Sequence, residues 1–521
     1  MMTNESGAET LVHTLLAGGV DVCFTNPGTS EMHFVAALDK IEGMRCVLGL
    51  FEGVVTGAAD GYYRIADKPA ATLLHLAPGL GNGVANLHNA KKARSGIVNI
   101  VGDHATYCAH LDTPLSGDIE GVARPVSNWV RTTTAGEHLA VDAAEAVRLA
   151  RQSPGRIATL VLPADISWGP GTAPGKALAP LPRRAVGEDA VAAAADALRR
   201  AGSAGVLLLG DAGTRARPLE WAGRIAARTG CKLLTEIHNS RIERGAGRVP
   251  VDRIPYTQPV DNALRLLADK SEMVLAGAEP PLSFFAYPGK PVELAPPGCA
   301  IRKLAEPGDD IEAALEALAR ALGAEAEEPP LAPLAPPDCP AGPITLDGMG
   351  AVIAALLPSD AIVVDEAVTS GRSFYAATAN AAAHDWLVSR GASIGFAPPA
   401  AVGAAIAAPE RKVLALTGDG SGMYTLQALW TMAREKLDVT VVVFANRKYQ
   451  ILRGEFANMG SGTPGPRAEA MLSIGDPALD WCALARGHGV ESGRAATLDE
   501  FADQLRRGFS CEGPYLVEVL L

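Results

Sequence analysis

The glycine-rich segment Gly418–Gly422, which reads Gly-Asp-Gly-Ser-Gly, has the clearest capacity for chemistry in this sequence. It follows one short apolar run, and Asn446 follows the next, Val439–Phe444. Glycine lets the backbone approach a phosphate closely, and carboxylate and amide oxygens suit Mg²⁺ bound to a pyrophosphate. The spacing therefore predicts a strand, turn, helix and strand that hold a divalent metal. Taken alone, the segment is equally consistent with an ordinary strand-to-helix turn.

Polar side chains that could bind a substrate follow two other apolar runs. Thr29 lies in the segment Asn26–Glu31, and His75 and Asn82 lie in the segment Leu74–Asn82. In α/β proteins, ligands bind at the edge formed by the carboxyl ends of the strands. A histidine that titrates near neutral pH suits proton transfer there. The alternative for His75 is a hydrogen-bonded core histidine at the end of a strand.

A further candidate, Glu52, has the apolar neighbours Leu50, Phe51, Val54 and Val55. A carboxyl group in such surroundings can have a raised pKa and exchange protons near neutral pH. The alternative is a solvated glutamate at the start of a helix, where its charge favours the positive end of the helix dipole. The apolar neighbours favour a buried group.

These candidates depend on an alternation of short Val-, Ile- and Leu-rich runs with longer segments of helical period. The alternation predicts an α/β fold in which helices cover parallel sheets. The predicted strands are Val20–Asn26, Cys46–Phe51, Ala71–His75, Ile97–Val101, Ile157–Leu162, Val206–Leu209, Lys232–Thr235, Met273–Ala276, Ala361–Asp365, Trp386–Ser389, Val413–Thr417, Val439–Phe444 and Tyr515–Leu520.

Two stretches rich in Pro and Ala, Gly169–Arg183 and Glu327–Pro343, lack periodicity and are predicted to be linkers. They divide the chain into an N-terminal domain (1–170), a central domain (184–326) and a C-terminal domain (344–521). Each is expected to contain a doubly wound parallel sheet.

The composition argues against several classes of function. The 521 residues include 46 Lys and Arg against 58 Asp and Glu, a formal net charge of -12, so no nucleic-acid partner is expected. The eight cysteines form no C-x-x-C pair and are expected to be reduced thiols of a cytoplasmic protein. No apolar stretch approaches the roughly 18 residues that span a bilayer, and the first basic residue is Lys40. Neither a membrane partner nor a signal peptide is therefore expected.

Together these segments resemble the thiamine-diphosphate enzyme family, in which Gly-Asp-Gly is followed some two dozen residues later by Asn-Asn. Asn446 stands at the place of the second Asn, and Ala445 replaces the first. The resemblance implies thiamine diphosphate and Mg²⁺ as cofactors, with Asp419, Asn446 and the Lys448 carbonyl as metal ligands. In the same segment it assigns to the cofactor Gly418, Gly420 and Ser421.

Other segments match the family as well. From Glu52 to an Ala-Asp-Gly-Tyr sequence the chain is in register with the family, which implies that Glu52 activates the cofactor. In Gly391–Gly403, Ile394 takes the place of the aliphatic side chain that holds the two cofactor rings in a bent arrangement. The resemblance implies that the Ala392 carbonyl accepts from the cofactor's amino group and that Thr369 binds phosphate oxygens. The alternative for Thr369 is a helix N-cap.

The substrate segments look most like benzoylformate decarboxylase. There a hydroxyl at the place of Thr29 contacts the substrate carboxylate, a histidine at the place of His75 transfers protons, and an Asn at the place of Asn82 contacts the cofactor. The segment Leu282–Gly289 has aromatic residues where that relative has a second histidine. In comparison with acetolactate synthase, Glu455 stands where a Trp that selects the acceptor is expected. The chain also lacks the Arg-Phe-Asp-Asp flavin segment, so FAD is not expected.

The resemblance thus implies non-oxidative decarboxylation of a 2-oxo acid, with ligation to a second carbonyl if the enzyme is acetolactate synthase-like. The alternative is a benzoylformate decarboxylase-like enzyme that releases an aldehyde. Two alternatives come from other classes: a catalytically silent structural or regulatory paralogue, and an oxidoreductase built around Gly210–Gly213, which lacks the G-x-G-x-x-G pattern. Because the family places each active site between subunits, a homodimer or homotetramer is expected. The identity of the 2-oxo acid stays open.

Overall fold

The computed structural model describes residues 5–256 and 259–521. The apolar runs form buried strands, and the segments between them form helices that cover mostly parallel sheets. The α/β class predicted from the sequence is confirmed. No helix in these two ranges combines the length and hydropathy needed to cross a membrane.

The first sheet is formed by the strands β1 (Val22–Asn26), β2 (Arg45–Leu48), β3 (Ala70–Leu74), β4 (Ile97–Asp103), β5 (Trp129–Thr132) and β6 (Ile157–Pro163). It is parallel throughout, and its strands run in the order β2-β1-β3-β4-β6-β5. Its helices are α1 (Gly7–Ala17), α2 (Met32–Lys40), α3 (Glu52–Ala66), α4 (Leu76–Lys92), α5 (Ile119–Ala123), α6 (Gly136–Ala150) and α7 (Ala164–Trp168). The neighbours β1 and β3 end level with each other, since Asn26 pairs with Leu74. The loops that follow these two strands therefore start side by side.

The middle part of the chain provides the strands β7 (Gly205–Leu209), β8 (Lys232–Thr235), β9 (Arg241–Arg244), β10 (Asp252–Arg253), β11 (Glu272–Ala276) and β12 (Ala300–Ala305). Its helices are α8 (Glu188–Ala201), α9 (Ala216–Thr229), α10 (Asp261–Leu267) and α11 (Ile311–Leu322). The second sheet is parallel and has the order β10-β8-β7-β11-β12, without β9.

The third sheet is formed by the strands β13 (Ala361–Glu366), β14 (His384–Val388), β15 (Val413–Gly418), β16 (Val439–Ala445), β17 (Glu491–Ala495) and β18 (Tyr515–Leu520), together with β9. Its helices are α12 (Leu346–Leu356), α13 (Phe374–Ala377), α14 (Ala397–Ala407), α15 (Asp419–Gly422), α16 (Ala428–Glu435), α17 (Gln450–Asn458), α18 (Pro466–Leu472), α19 (Trp481–Gly487) and α20 (Leu498–Ser510). The order is β17-β18-β16-β15-β13-β14-β9, and β9 is antiparallel to β14. The loops after β13, β14, β15 and β16 therefore share one edge.

Helices α3 and α14 join the first and third sheets through small residues. A Cβ atom on Gly61 would lie 2.0 Å from the Ala400 carbonyl oxygen, and one on Gly403 would lie 1.9 Å from the Ala58 carbonyl oxygen. The two backbones thus approach each other more closely than residues with side chains would allow. Buried apolar side chains of α3, α4 and α14 belong to one continuous core. This core fixes the first sheet against the third.

A buried ion pair ties all three parts of the chain together. Arg64 donates to both carboxylate oxygens of Asp60, at 2.8 and 2.6 Å, and these side chains are 2% and 0% exposed. Nη1 of Arg64 also donates to the carbonyls of Val388 (2.7 Å) and Ser240 (3.2 Å). Asp60 belongs to the Ala-Asp-Gly-Tyr sequence that matches the family, and its contacts here are structural.

The strands that the sequence pattern did not predict are β5, β9, β10, β12 and β17, and each lies at the edge of a sheet. An edge strand has one neighbour and a solvated side, so it needs no continuous apolar run. The predicted domain boundaries also assign β9 to the central domain, whereas its pairing with β14 places it in the third sheet.

Candidate active site

Strained backbone marks the carboxyl ends of four strands. Left-handed φ angles occur at Leu76 (49°) after β3, Val368 (47°) after β13, Ala392 (57°) after β14 and Arg447 (56°) after β16. Such a conformation costs a non-glycine residue on the order of 1–2 kcal/mol and persists where surrounding contacts enforce it, often at functional sites. These turns lie at the carboxyl edges of the first and third sheets, which are therefore the candidate positions of a site.

At the edge of the first sheet, His75 pairs with Glu31. Nδ1 of His75 lies 2.8 Å from Oε2 of Glu31 and 3.3 Å from Oγ of Ser30. The same carboxylate accepts from the Ser30 hydroxyl (2.6 Å) and from the Gly28 N–H (2.8 Å). Because a carboxylate only accepts, the proton of His75 lies on Nδ1 and the second ring nitrogen is left for other chemistry. Thr29 precedes Ser30 and is exposed.

Glu31 and Ser30 were not singled out from the sequence, although both lie in the segment that contains Thr29. Glu31 is only 3% exposed. The burial of Glu31, two residues after Thr29, could not be recognised from the sequence, because it depends on the position of β3. Its partner His75 keeps 20% of its side chain exposed, so it is both hydrogen-bonded and accessible.

Glu52 and Asn82, which come from separate segments, are hydrogen-bonded to each other. Glu52 begins α3 and is 8% exposed, so the solvated alternative is wrong. Nδ2 of Asn82 donates to Oε2 of Glu52 at 3.0 Å. A Cβ atom on Gly79 would lie 3.2 Å from the other carboxylate oxygen. The fold thus packs this carboxyl group against α4 at the edge of the first sheet.

At the edge of the third sheet, Asp419 connects the loops after β15 and β16. Its carboxylate accepts from the backbone N–H groups of Gly420 (2.9 Å) and Arg447 (2.6 Å), and Oδ1 of Asn446 accepts from the Lys448 N–H (3.0 Å). Burial raises the pKa of Asp419, which is 3% exposed. Within residues 5–256 and 259–521, no basic side chain pairs with it.

This loop fits a divalent metal and a pyrophosphate. A buried carboxylate, an amide oxygen and a backbone carbonyl are hard ligands of the kind that Mg²⁺ prefers. Gly420 is held against the ring of Tyr449, because its Cβ would lie 2.6 Å from Cε1 of that ring, whereas a Cβ on Gly418 would meet nothing within 4 Å. Ser421 follows in α15 and is half-buried. The backbone at Gly418, beside the Asp419 carboxylate, is thus accessible to a bound phosphate group.

A cavity of about 490 Å³ lies at the same edge. Ala392 and Ile394 line it, as does Val368, whereas the neighbouring Thr369 does not. Helix α13 is capped at Ser373, so Thr369 is not its N-cap. The rest of the lining is largely aromatic and aliphatic and includes His238, Tyr256, Phe284, Phe285, Tyr424, Tyr449, Ile451, Leu452, Glu455 and Met471.

Glu366, which was not predicted as a site residue, anchors the wall of this cavity. Its carboxylate accepts from the backbone N–H groups of Phe396 (2.9 Å) and Ala397 (3.1 Å), where α14 begins. Burial raises its pKa to about 7. An acidic residue at the end of an apolar strand was the available signal, since Asp365 and Glu366 both follow Val364. The carboxylate holds the turn that carries Ile394.

None of the polar residues described at the edge of the first sheet lines this cavity. Of the described residues that line the cavity, none belongs to the first sheet or its helices. Glu52 with Asn82, and His75 with Glu31, thus form one polar group at the edge of the first sheet, and the loop of Asp419 forms a second at the edge of the third sheet. The Gly210–Gly213 segment forms a 3₁₀ turn, Asp211–Thr214, and lies outside this cavity.

Comparisons with known proteins cover both halves. Residues 5–122 match the thiamine pyrophosphate enzyme N-terminal TPP-binding domain, and residues 371–519 match the C-terminal TPP-binding domain. The chain is 49% identical over 517 residues to the protein named acetolactate synthase large subunit IlvX of Mycobacterium tuberculosis, covering 99% of each. It is 29% identical over 529 residues to benzoylformate decarboxylase of Pseudomonas aeruginosa, covering 96% of each.

A solved structure has the same fold. The thiamine diphosphate-dependent 4-hydroxybenzoylformate decarboxylase of Rhodococcus jostii RHA1 matches with a TM-score of 0.83 and 23% identity, covering 99% of this chain and 98% of that chain. At this identity the likeness concerns the fold. The matched sequence domains contain Glu52 and His75 in the first and Ile394 and Asp419 in the second.

Proposed function

Because this chain belongs to the thiamine pyrophosphate enzyme family, we propose that it uses thiamine diphosphate and Mg²⁺ to decarboxylate a 2-oxo acid without oxidation. The observation that carries this proposal is the pair of buried carboxyl groups, Glu52 and Asp419, each of which follows the carboxyl end of a strand. Glu52 accepts a hydrogen bond from Asn82, and Asp419 accepts one from the backbone N–H of Arg447. A catalytically silent paralogue could dispense with either, and the chain has both.

The third sheet would hold the cofactor. Asp419, Asn446 and the Lys448 carbonyl would bind Mg²⁺, and the adjoining backbone of Gly418, Gly420 and Ser421 would bind the pyrophosphate, with Thr369 nearby. Ile394 and the Ala392 carbonyl would orient the rings. When bound, thiamine diphosphate supplies a centre that takes up the electrons released as CO₂ leaves.

The first sheet would handle protons and substrate. Glu52, oriented by its hydrogen bond from Asn82, would exchange a proton with the cofactor. His75, held in one tautomer by Glu31, transfers a proton to or from the substrate, and Thr29 contacts the substrate carboxylate. The His75–Glu31 pair favours release of a protonated product, an aldehyde. The similarity to a protein named acetolactate synthase supports ligation to a second carbonyl instead.

We further propose that each active site forms between two subunits of a homodimer or homotetramer. The support is the cavity at the third sheet, which has no described residue of the first sheet in its lining. Glu52 of one subunit would face the Asp419 loop of its partner.

The test is CO₂ release from a panel of 2-oxo acids in the presence of thiamine diphosphate and Mg²⁺. We expect turnover of at least one acid. In Glu52→Gln the rate of CO₂ release should fall about 10²-fold or more, because the glutamine side chain has the shape of glutamate but cannot exchange the proton. Glu410→Gln is the matched control, because Glu410 is an exposed residue outside the site. Chelation of the metal with EDTA should abolish the rate, and added Mg²⁺ should restore it.

Product analysis then separates aldehyde release from ligation. If the protein binds thiamine diphosphate but no acid in the panel releases CO₂, the decarboxylase proposal is wrong. Equal rates for Glu52→Gln and wild type would remove Glu52 from the chemistry.

A further inference from the structure

Two buried acceptor atoms in the cavity have no hydrogen-bond partner within residues 5–256 and 259–521. They are Nε2 of His238 and Oε2 of Glu455. Leaving a buried polar atom unpaired costs about 1–3 kcal/mol, so most such atoms in proteins have a partner. In a ligand cavity, the missing donors can come from the ligand.

The geometry of His238 makes its free nitrogen an acceptor. Nδ1 lies 3.1 Å from the carbonyl oxygen of Ser389, which only accepts, so the proton is on Nδ1. Burial lowers the pKa of His238 to about 4, so the ring stays neutral at neutral pH. The ring packs against Tyr256 and Phe284, with centroids 5.4 and 5.8 Å away. The Nε2 lone pair is thus fixed within an aromatic wall.

Glu455 places a carboxylate among the apolar side chains of α17. Its Oε1 accepts from Nδ2 of Asn458 (3.1 Å) and from the hydroxyl of Tyr287 (3.4 Å), which leaves Oε2 free. Ile451 and Leu452 on the same helix also line the cavity. The resemblance to acetolactate synthase predicted a Trp at this place, so a carboxylate is a specific departure.

The other carboxyl groups of the cavity are already paired. Glu366 accepts from the N–H groups at the start of α14, and Asp365 accepts from the Ala367 N–H at 3.0 Å. Arg372 also lines the cavity, and it can donate but not accept. The free acceptors therefore come from the central segment and from α17.

Building on the proposed function, we propose that the substrate is a 2-oxo acid whose side chain carries a hydrogen-bond donor, and that His238 and Glu455 select it. The donor can be a neutral hydroxyl, which either acceptor would bind, or a cationic group such as a guanidinium, which a carboxylate favours. His238 and Glu455 line the same cavity of about 490 Å³ as Ile394 and Ala392, so the substrate side chain would share it with the cofactor rings.

The test compares kcat/KM for acids matched in size. Benzoylformate and 4-methoxybenzoylformate lack the donor of 4-hydroxybenzoylformate, and 2-oxooctanoate, which has the same chain length, lacks that of 5-guanidino-2-oxopentanoate. We expect wild type to prefer at least one donor-bearing acid by tenfold or more, since a site with unpaired acceptors rejects analogues that lack the donor, by about 10⁴-fold in the strongest cases.

Variants identify the acceptor. His238→Phe and Glu455→Leu should reduce the preference, measured as the ratio of kcat/KM for the donor-bearing acid to kcat/KM for its donor-free match, about tenfold or more. Glu455→Gln keeps an acceptor but removes the charge, so it should reduce a preference for the guanidinium and spare one for the hydroxyl. The controls are His138→Phe and Glu410→Gln, at exposed positions outside the cavity.

Equal kcat/KM within each matched set, or a preference that all these variants retain, overturns this inference and leaves decarboxylation intact. A second measurement does not depend on turnover: calorimetric binding of 4-hydroxyphenylacetate against phenylacetate, and of 4-guanidinobutyrate against hexanoate, to the full chain with cofactor. If no acid is decarboxylated but a donor-bearing analogue binds at least tenfold more tightly, the function is wrong and the recognition stands. If neither binds more tightly, the recognition is wrong as well.

Discussion

At the residue scale, glycines shape the first half of the site as much as the side chains do. A Cβ atom on Gly28 would lie 2.1 Å from Nδ1 of His75, and one on Gly102 would lie 1.8 Å from Oε1 of Glu31. Neither glycine has a left-handed φ angle, so what each position requires is space rather than an unusual backbone. The His75–Glu31 pair exists because both neighbours lack a side chain.

Gly28→Ala should therefore displace His75 and lower kcat by about 10²-fold, the scale of a lost proton-transfer group, while the Kd for thiamine diphosphate stays unchanged. Steady-state kinetics and calorimetric binding of the cofactor check the two parts. Gly187→Ala is the control, because a Cβ on Gly187 would meet nothing within 4 Å. Unchanged kcat in Gly28→Ala would mean that His75 plays no part in proton transfer.

At the element scale, the junction between β9 and β14 contains a neutral buried histidine. His384 donates from Nδ1 to the Ala382 carbonyl (2.7 Å), and Nη1 of Arg244, its cross-strand neighbour, donates to Nε2 (3.4 Å). Burial and the adjacent guanidinium lower the pKa of His384 to about 3. Protonation of the ring would remove an acceptor and bring two positive charges together.

This pairing predicts a loss of stability in acid. The unfolded chain takes up the proton near pH 6.5 and the folded chain only near pH 3, so the contribution of neutral His384 is complete above pH 6.5 and is lost as the pH falls toward 3. Between pH 7 and pH 5, wild type should lose about 2 kcal/mol more unfolding free energy than His384→Gln. Urea denaturation at the two pH values measures this difference. His138→Gln, at an exposed site, should behave as wild type; the same loss in all three proteins would contradict the prediction.

Helix α3 contains a second test at this scale. Asp60→Asn would leave the Arg64 guanidinium buried without its counter-charge, and we expect a loss of about 3–5 kcal/mol in unfolding free energy. Because Arg64 also binds carbonyls of the other two parts of the chain, the loss should affect the whole molecule. Urea denaturation followed by tryptophan fluorescence measures it. Asp39→Asn, on the exposed face of α2, is the control, and an equal, small effect of the two substitutions would refute the role of the pair.

At the scale of the whole molecule, the polar groups at the edges of the first and third sheets belong to one packed chain but line no common cavity. The contact between α3 and α14 fixes the first sheet against the third, with glycines at the closest points. In the proposed arrangement a second copy would bring its Asp419 loop to Glu52 of the first, and closed two-fold symmetry would complete two such sites at once.

Mixing two inactive variants tests this arrangement. In a hybrid dimer of Glu52→Gln and Asp419→Asn subunits, one site carries both substitutions and the other carries neither. Random exchange should therefore restore about a quarter of wild-type activity, because half of the dimers are hybrids and half of their sites are intact. Each variant alone should stay inactive. No recovery, in a mixture shown by mass spectrometry to contain hybrids, would place the complete site within a single chain.

The α/β class, the central strands and the segments proposed to bear the site could all be predicted from the sequence alone. Central strands of a parallel sheet are buried on both faces and appear as apolar runs, and the loops that follow them supplied His75, Ile394 and Asp419, whereas Glu52 follows the edge strand β2. The other five edge strands were not predicted, because one side of each is solvated and no apolar run identifies them.

Tertiary structure alone decided which polar groups are partners. Glu31 meets His75 because β1 and β3 end level, 44 residues apart in the chain. Nε2 of His238 is left as an acceptor because Nδ1 is bound to the Ser389 carbonyl directly after β14. No local sequence pattern predicts this contact between the central segment and β14. Hydrogen bonds between distant segments depend on angles and distances that the whole core fixes, whereas burial of a strand depends mainly on its own residues.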